Sequence, residues 1–237
     1  MQSTFHKADC LTHMRTMEPK SIDLIYWNPP FGTTRQPWDE ALDWPSIFAE
    51  CFRILKDDGN LVIHCSVPFN YTLIRSAPRP PTYSWYWDKG QPTLPLIVNH
   101  QPIRRVEEVL VWRMKRTKYF PQRIGDEEYV RGGGYTTAYA NNAKKIKPKT
   151  VRGKCQTHLI TMKRAIDGFS TRSEEMVELF INAYTREGDT ILDPTCYKGL
   201  TGRVARRMNR NWIGIDKYFE PDQQIEPSVR NEIVEPE

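Results

Sequence analysis

The run Ser21-Ile22-Asp23-Leu24-Ile25-Tyr26-Trp27 stops at Asn28-Pro29-Pro30-Phe31-Gly32. A short apolar run closed by two prolines predicts a strand buried on both faces that feeds a loop at its carboxyl end. Upstream, Thr4 to Asp9 reads as a short strand, and Leu11 and Met14 sit at helical spacing. Downstream, Ile47, Phe48, Cys51, Phe52, Ile54 and Leu55 recur three and four apart behind Pro45, which predicts a helix over 45–56. Asp57-Asp58-Gly59-Asn60 reads as a turn, and Leu61 to Cys65 as a second buried strand. Strand and helix in alternation predict an α/β domain with a largely parallel sheet.

Further along, Tyr83 to Gly90 and Glu107 to Arg113 read as strands joined by a loop carrying Pro92, Pro95 and Pro102. Long loops of this kind in α/β proteins are often functional. Apolar periodicity then fades across 122–160, where Gly132-Gly133-Gly134 and a polar run to Asn142 lead into Lys144, Lys145, Lys147, Lys149, Arg152 and Lys154. Regular pattern returns with a helix from Ser173, whose first turn holds Glu174 and Glu175. A turn and strand over Gly188 to Asp193, a helix over Thr201 to Met208 and a strand over Asn211 to Asp216 follow. The expected division is a core of 1–121 with 161–217, an insertion of 122–160, and a polar tail of 218–237.

A length of 237 residues suits one domain carrying such an insertion. Hydrophobic residues at 39% and charged residues at 27% allow a real core in a soluble protein. Mean hydropathy is −0.63, and no stretch approaches the roughly 18 apolar residues of a membrane span. Met1 to Lys7 has no apolar segment, so no secretory leader is expected. The cysteines, Cys10, Cys51, Cys65, Cys155 and Cys196, are odd in number and scattered, which argues for a reducing compartment over a disulfide framework. Cys155 and His158 have no second pair at ligand spacing, so no metal site is expected. A net charge of +5 permits a polyanionic partner without requiring one.

Two segments carry residue types with a chemical use. In open parallel sheets, ligands bind beyond the carboxyl ends of the strands, where Asn28 is placed. The Asn28 side-chain carbonyl is an acceptor, two prolines stiffen the backbone so that the Pro29 carbonyl can face a ligand, and Phe31 offers a flat stacking face. Such a set suits a planar ring bearing an amino group; the alternative is a turn whose asparagine bonds its own backbone. The second segment, Asp193-Pro194-Thr195-Cys196-Tyr197-Lys198-Gly199-Leu200-Thr201-Gly202, follows a strand and opens a helix, so it presents backbone N–H groups to a ligand. Asp216, at the end of the next strand, stands where an acid commonly takes ribose hydroxyls. A plain strand–turn–helix is the alternative.

Together these segments resemble the amino-group DNA methyltransferases of the permuted, beta type, in which the catalytic motif precedes the cofactor loop. The resemblance runs from about residue 4 to 217, outside the insertion. Ala8-Asp9-Cys10 with Ser21 to Ile25 resembles the opening motif, and Asn28 to Phe31 the catalytic tetrad of Asp or Asn, Pro, Pro and an aromatic residue. Gly32-Thr33-Thr34 and Trp38-Asp39 follow it in the family's manner. Arg53-Ile54-Leu55-Lys56, Trp87-Asp88-Lys89-Gly90, Glu107 to Val111 and Tyr119 to Gln122 resemble later segments in the family's order. Gly188 to Pro194 and Asn211 to Asp216 complete the series. Where the family loop usually reads Asp-Pro-Phe-x-Gly-Ser-Gly-Thr-Thr, Tyr197, Lys198 and Leu200 replace a glycine, the serine and a threonine. Thr171-Arg172-Ser173 stands where Gln-Lys-Pro is usual. A side chain at 197 is expected to narrow the cofactor pocket.

The resemblance implies a Rossmann-like S-adenosylmethionine-dependent methyltransferase sheet with a small inserted target-recognition region. It implies methyl transfer to the exocyclic amino group of a base flipped out of double-stranded DNA. A tetrad beginning with Asn favours adenine N6, with cytosine N4 the alternative. Asn28, Pro29, Pro30 and Phe31 are implied as catalytic. Asp9, Asp193, Pro194, Thr195, Gly199, Asp216 and Thr171 are implied at the cofactor; for Asp9 a purely capping role is the alternative. Lys144, Lys145, Lys147, Lys149, Arg152 and Lys154 are expected to meet DNA phosphates. The family also admits a homodimer and implies a bacterial or phage-infected cytoplasm and association with restriction enzymes. A DNA-binding relative with weak catalysis is a rival reading, as is a methyltransferase for RNA or protein glutamine, although the order of motifs argues against the latter.

Overall fold

The computed structural model describes residues 2–93, 98–116, 118–131, 147–164 and 172–218. They fall into two compact units, one of residues up to 120 and from 158 onward, the other of 121–157.

The larger unit is built on β2 (Ile22–Trp27), in which all six residues are buried. Its side chains alternate: Leu24 and Tyr26 enter one core cluster, Ile25 and Trp27 the other. Burial on both faces explains why the run is continuously apolar rather than alternating. On one side β2 pairs with β9 (Thr190–Asp193), then β10 (Asn211–Ile215) and β1 (Ser3–His6). On the other it pairs with β3 (Leu55–Cys65), and these five strands are all parallel. The sheet continues through antiparallel β5 (Arg104–Arg113) and β4 (Tyr83–Thr93), and ends at β8 (Leu159–Thr161), parallel to β4.

Helices cover both faces. On one side α1 (Cys10–Thr16), α2 (Trp44–Ile54) and α3 (Phe69–Ser76) pack Met14, Ile47, Phe48 and Leu73 against Ile25, Trp27 and Trp112. On the other, α4 (Glu174–Tyr184) and α5 (Leu200–Arg207) pack Phe180, Tyr184 and Val204 against Tyr26, Trp85 and Trp212. Trp212 lies flat against α5. A Cβ on Gly202 would meet its ring at 2.8 Å, and one on Gly214 at 2.1 Å, so both positions require glycine. No helix among the described residues is long and apolar enough to cross a membrane.

Three sequence expectations are corrected. Residues 57–60 are part of β3, whose register against β2 jumps from Ile22–Leu55 to Leu24–Asn60, so the polar stretch bulges within the strand. Residues 158–160 belong to the main sheet: β8 pairs with β4 and Ile160 is buried there, so the separate unit closes at 157. That unit is not patternless either. β6 (Arg123–Arg131) and β7 (Lys149–Cys155) form an antiparallel ribbon. Only Gly153 of β7 is buried, so no apolar alternation marks the strand in the sequence.

Candidate active site

Four parallel strands deliver their carboxyl ends to one cleft. Asp9 follows β1, Asn28 follows β2, Asp193 ends β9 and Asp216 follows β10. The cleft has a volume of about 540 Å³ and is lined by all four, together with Pro29, Pro30, Phe31, Pro194 and Thr195. This size lies in the ordinary range for small-molecule sites, ~300–1,000 Å³. Both loops singled out in the sequence therefore share one site.

The loops are also tied together. Trp27 Nε1 donates to Thr195 Oγ1 at 2.8 Å, and that hydroxyl lies 3.4 Å from the Asn28 carbonyl oxygen. Beyond the tetrad, Asp39 gathers the next turn, accepting from the backbone N–H groups of Gly32 (2.7 Å), Thr33 (2.8 Å) and Thr34 (2.5 Å). Burial would raise the Asp39 carboxyl, but these bonds outweigh it and hold the group below its ordinary range. Phe31 stacks on Phe69 of α3, with ring centroids 4.8 Å apart and planes 21° from parallel.

On the other side of the cleft, Asp193 is buried. Burial pushes its carboxyl up to about 7, although the Thr201 hydroxyl and Thr195 N–H pull it down. Its Oδ1 is buried with no hydrogen-bond partner among the described residues. Asp216 accepts the backbone N–H of Tyr197 at 2.8 Å through Oδ2 and that of Tyr218 at 2.9 Å through Oδ1. Asp9 caps α1, its Oδ1 taking the Thr12 N–H and hydroxyl, both at 2.9 Å, and it lines the cleft as well. Capping and a cofactor contact are thus compatible roles for it.

Tyr197 adopts φ +45°, the left-handed region that the family's glycine enters freely. Its side chain lines the cleft yet is 42% exposed, so the ring is only partly inside. Gly199 is not on the cleft wall; it is the N-cap of α5, with φ +70°. Thr171, Lys144 and Lys145 lie outside the described residues. Lys147 precedes β7, and Lys149, Arg152 and Lys154 lie on it, within the separate ribbon unit.

Sequence reasoning missed Tyr26, Trp38, Arg172 and Tyr218, all on the cleft wall. Tyr26 had a signal in its place at the carboxyl end of the buried run, where the strand delivers its residues to a ligand. Arg172 had a weak signal in its place within the departing Thr171-Arg172-Ser173 segment.

A family model described as DNA methylase matches residues 22–224. The chain belongs to the DNA methylase family. Methylases of this family use S-adenosylmethionine as methyl donor. Type II methyltransferase M.BamHI of Bacillus amyloliquefaciens is 25% identical over 227 residues, covering 89% of this chain and 53% of that protein. The chain thus spans about half the length of that relative. The PvuII DNA methyltransferase, described as cytosine-N4-specific, superposes with a TM-score of 0.64 at 18% identity, covering 94% of this chain and 84% of its own. M1.HpyAVI, solved as its SAM complex, gives 0.60 at 18% identity, covering 92% and 94%. Both share this chain's mostly parallel α/β sheet.

The residues present fit such a donor. The unpartnered Asp193 Oδ1 suits an ammonium, and Asp216 at the next strand end suits hydroxyls.

Proposed function

We propose that this chain transfers a methyl group from S-adenosylmethionine to the exocyclic amino nitrogen of a base in double-stranded DNA, adenine N6 ahead of cytosine N4. The observation that carries this reading is the shared cleft: the Asn28–Phe31 tetrad opens onto the same cavity as Asp193 and Asp216.

When bound, the donor supplies an electrophilic methyl carbon on a sulfonium. The protein's task is to make a poor nucleophile attack it. An amino nitrogen on an aromatic base shares its lone pair with the ring. Asn28 Oδ1 and the Pro29 carbonyl accept its two N–H bonds, draw the nitrogen toward tetrahedral geometry and so localise that pair. Asparagine does not titrate near neutrality, so Asn28 acts by positioning and electrostatics. Phe31, backed by Phe69, offers its free face to a base that has left the duplex. Asp193 holds the ammonium of the donor's tail and Asp216 its ribose hydroxyls, with Pro194 and Thr195 forming the wall between. Asp9 lies toward the donor's adenine. The ribbon's Lys147, Lys149, Arg152 and Lys154 supply phosphate contacts, which orient DNA without specifying sequence.

The preference for adenine rests on the asparagine that opens the tetrad. The fold likeness to a cytosine-N4 enzyme makes cytosine N4 the second reading. Incubation with labelled S-adenosylmethionine and unmethylated duplex DNA, followed by nucleoside analysis, separates the two. Labelled N6-methyladenine that disappears in Asn28→Ala is the expected result. Labelled N4-methylcytosine overturns the choice of base. No transfer, with intact DNA binding, favours a DNA-binding relative.

A further inference from the structure

Behind the cleft wall lies a buried polar chain that the steps above leave unused. The Tyr26 hydroxyl is 2.9 Å from His64 Nε2. His64, at the carboxyl end of β3, is fully buried, and its Nδ1, which has no hydrogen-bond partner among the described residues, lies 3.4 Å from Glu107 Oε1 on β5, close enough for the carboxylate's charge to act on it. Glu107 also receives the Arg172 guanidinium on Oε1, and the Lys89 ammonium of β4 stands 3.8 Å from its Oε2. Glu107 is a carboxylate in this setting: burial would raise it, but Arg172, His64 and Lys89 outweigh burial and lower it.

The order of these atoms fixes a direction. A carboxylate only accepts, so the proton of neutral His64 is favoured on Nδ1, facing Glu107. Nε2 then presents a lone pair, and Tyr26 must be the donor in the Tyr26–His64 bond. The Tyr26 oxygen keeps acceptor capacity after donating, and Tyr26 is a residue of the cleft wall. Tyr26, the second-last residue of β2, and Asn28, which follows the strand, both line the cleft.

We propose that Tyr26 and His64 relay away the proton that the target amino nitrogen must lose, with Glu107 fixing the histidine tautomer that receives it. The inference rests on the amino-methyltransferase reading. In that reaction the nitrogen lone pair becomes the new N–C bond, while the C–S pair stays with sulfur. The nitrogen is left positively charged with two hydrogens, and one must leave as a proton. Tyr26 oxygen takes it and passes its own proton to His64 Nε2. The products are a neutral methylated amine, a neutral tyrosine and an imidazolium beside the Glu107 carboxylate. Release to solvent then resets the chain.

The basicity is adequate. Burial first, then the Arg172 charge, depress His64 to about 4, while Glu107 opposes them. An amino cation whose lone pair would otherwise conjugate with the ring is a far stronger acid than an imidazolium of that strength. The groups facing the relay are Glu107, Lys89, Arg172 and, near Tyr26, Asp193. With His64 neutral throughout, this step is expected to be independent of pH between about 6 and 9.

The test compares full-length wild type, Tyr26→Phe, His64→Gln and the double variant. Single-turnover transfer from labelled S-adenosylmethionine to unmethylated duplex DNA is measured against pH, alongside donor affinity and melting temperature. Imidazole nitrogen NMR of the donor-free protein reports the His64 tautomer. The relay predicts a proton on Nδ1. It also predicts at least a tenfold slower transfer in each single variant at unchanged donor affinity, and no further loss in the double. Either single variant transferring at the wild-type rate overturns it, as does a proton on Nε2. The NMR result stands even where a variant fails to fold. A wild type that transfers no methyl group defeats the methyltransferase reading and the relay with it. A wild type that transfers, matched by Tyr26→Phe, defeats the relay alone.

Discussion

Trp27 Nε1 donates to Thr195 Oγ1 at 2.8 Å, joining the end of β2 to the loop after β9 across 168 positions of sequence. One hydroxyl thereby couples the loop read as catalytic to the loop read as donor-binding. Removing it strands a part-buried indole N–H, at a cost of about 1–3 kcal/mol. Thr195→Val is expected to lose that much stability in chemical denaturation and to slow methyl transfer. Thr195→Ser, which keeps the acceptor, is expected to restore both. A valine variant as stable and active as wild type would show that the two loops are held independently.

Asp193 makes a prediction about pH. Its carboxyl is raised by burial to about 7, against about 3.9 in an unfolded chain. The folded state therefore binds more protons between those values. The stability this group contributes is full below about 4 and is lost as pH rises through about 7. Asp193→Asn is expected to flatten that decline and to raise the melting temperature of the donor-free protein at pH 8. Donor affinity is expected to rise by up to about tenfold per pH unit between 5.5 and 7 in wild type, and to be weak and flat in the variant. Thermal melts and calorimetric titration over this range check both slopes.

Much of this site was legible because its parts are local. A buried run ending in Asn28-Pro29-Pro30, and strands ending in Asp193 and Asp216, each announce themselves within a dozen residues. What escaped was set by pairing over distance. His64 and Glu107 are brought together only by the β3–β5 register, in which His64 faces Val109. The bulge at 57–60 mimics a turn because its polar residues sit where β3 leaves the β2 ladder. The helix α3 was unread because its apolar contacts, Phe69 and Leu73, give a single turn of pattern. The β6–β7 ribbon lacks an apolar face, so periodicity could not mark it.

Tyr197 holds a left-handed backbone without being glycine, which costs a non-glycine residue roughly 1–2 kcal/mol. Its N–H nonetheless reaches Asp216. Tyr197→Gly is expected to relieve the local strain, partly offset by glycine's greater entropy when unfolded, and to remove a ring from the cleft wall. If the ring narrows the site, donor affinity increases in the variant; if it packs on the donor, affinity falls. Isothermal titration distinguishes these, and an unchanged affinity would remove Tyr197 from the binding surface.

Asp39 is expected to matter for rate more than for stability. It organises three N–H groups immediately after Phe31, on a loop whose neighbouring residues are largely exposed. Asp39→Asn keeps the size but lacks the charge that strengthens these bonds. A roughly tenfold slower transfer with little change in melting temperature is the expected outcome. Equal losses of rate and stability would make Asp39 a structural tie alone.

The ribbon's role is read most directly from salt. If Lys149, Arg152 and Lys154 each neutralise one phosphate, each contributes about 0.9 to the slope of log affinity against log salt. Replacing all three with glutamine is expected to reduce that slope by about 2 to 3 and to weaken binding similarly on every duplex tested, because phosphate contacts carry no sequence information. Arg152 also pairs with Asp126 at 3.2 Å, but both are well exposed, so the pair competes weakly with DNA. Gly153→Ala is the conformational control. A Cβ there would meet the Gly125 carbonyl oxygen at 2.6 Å, and the backbone lies at φ +69°, so the substitution distorts the ribbon without altering its charge. A full slope in the triple variant would move the DNA contact elsewhere. A reduced slope in the triple variant, with weakened binding in Gly153→Ala, would place it on a ribbon that must be correctly folded to present its charges.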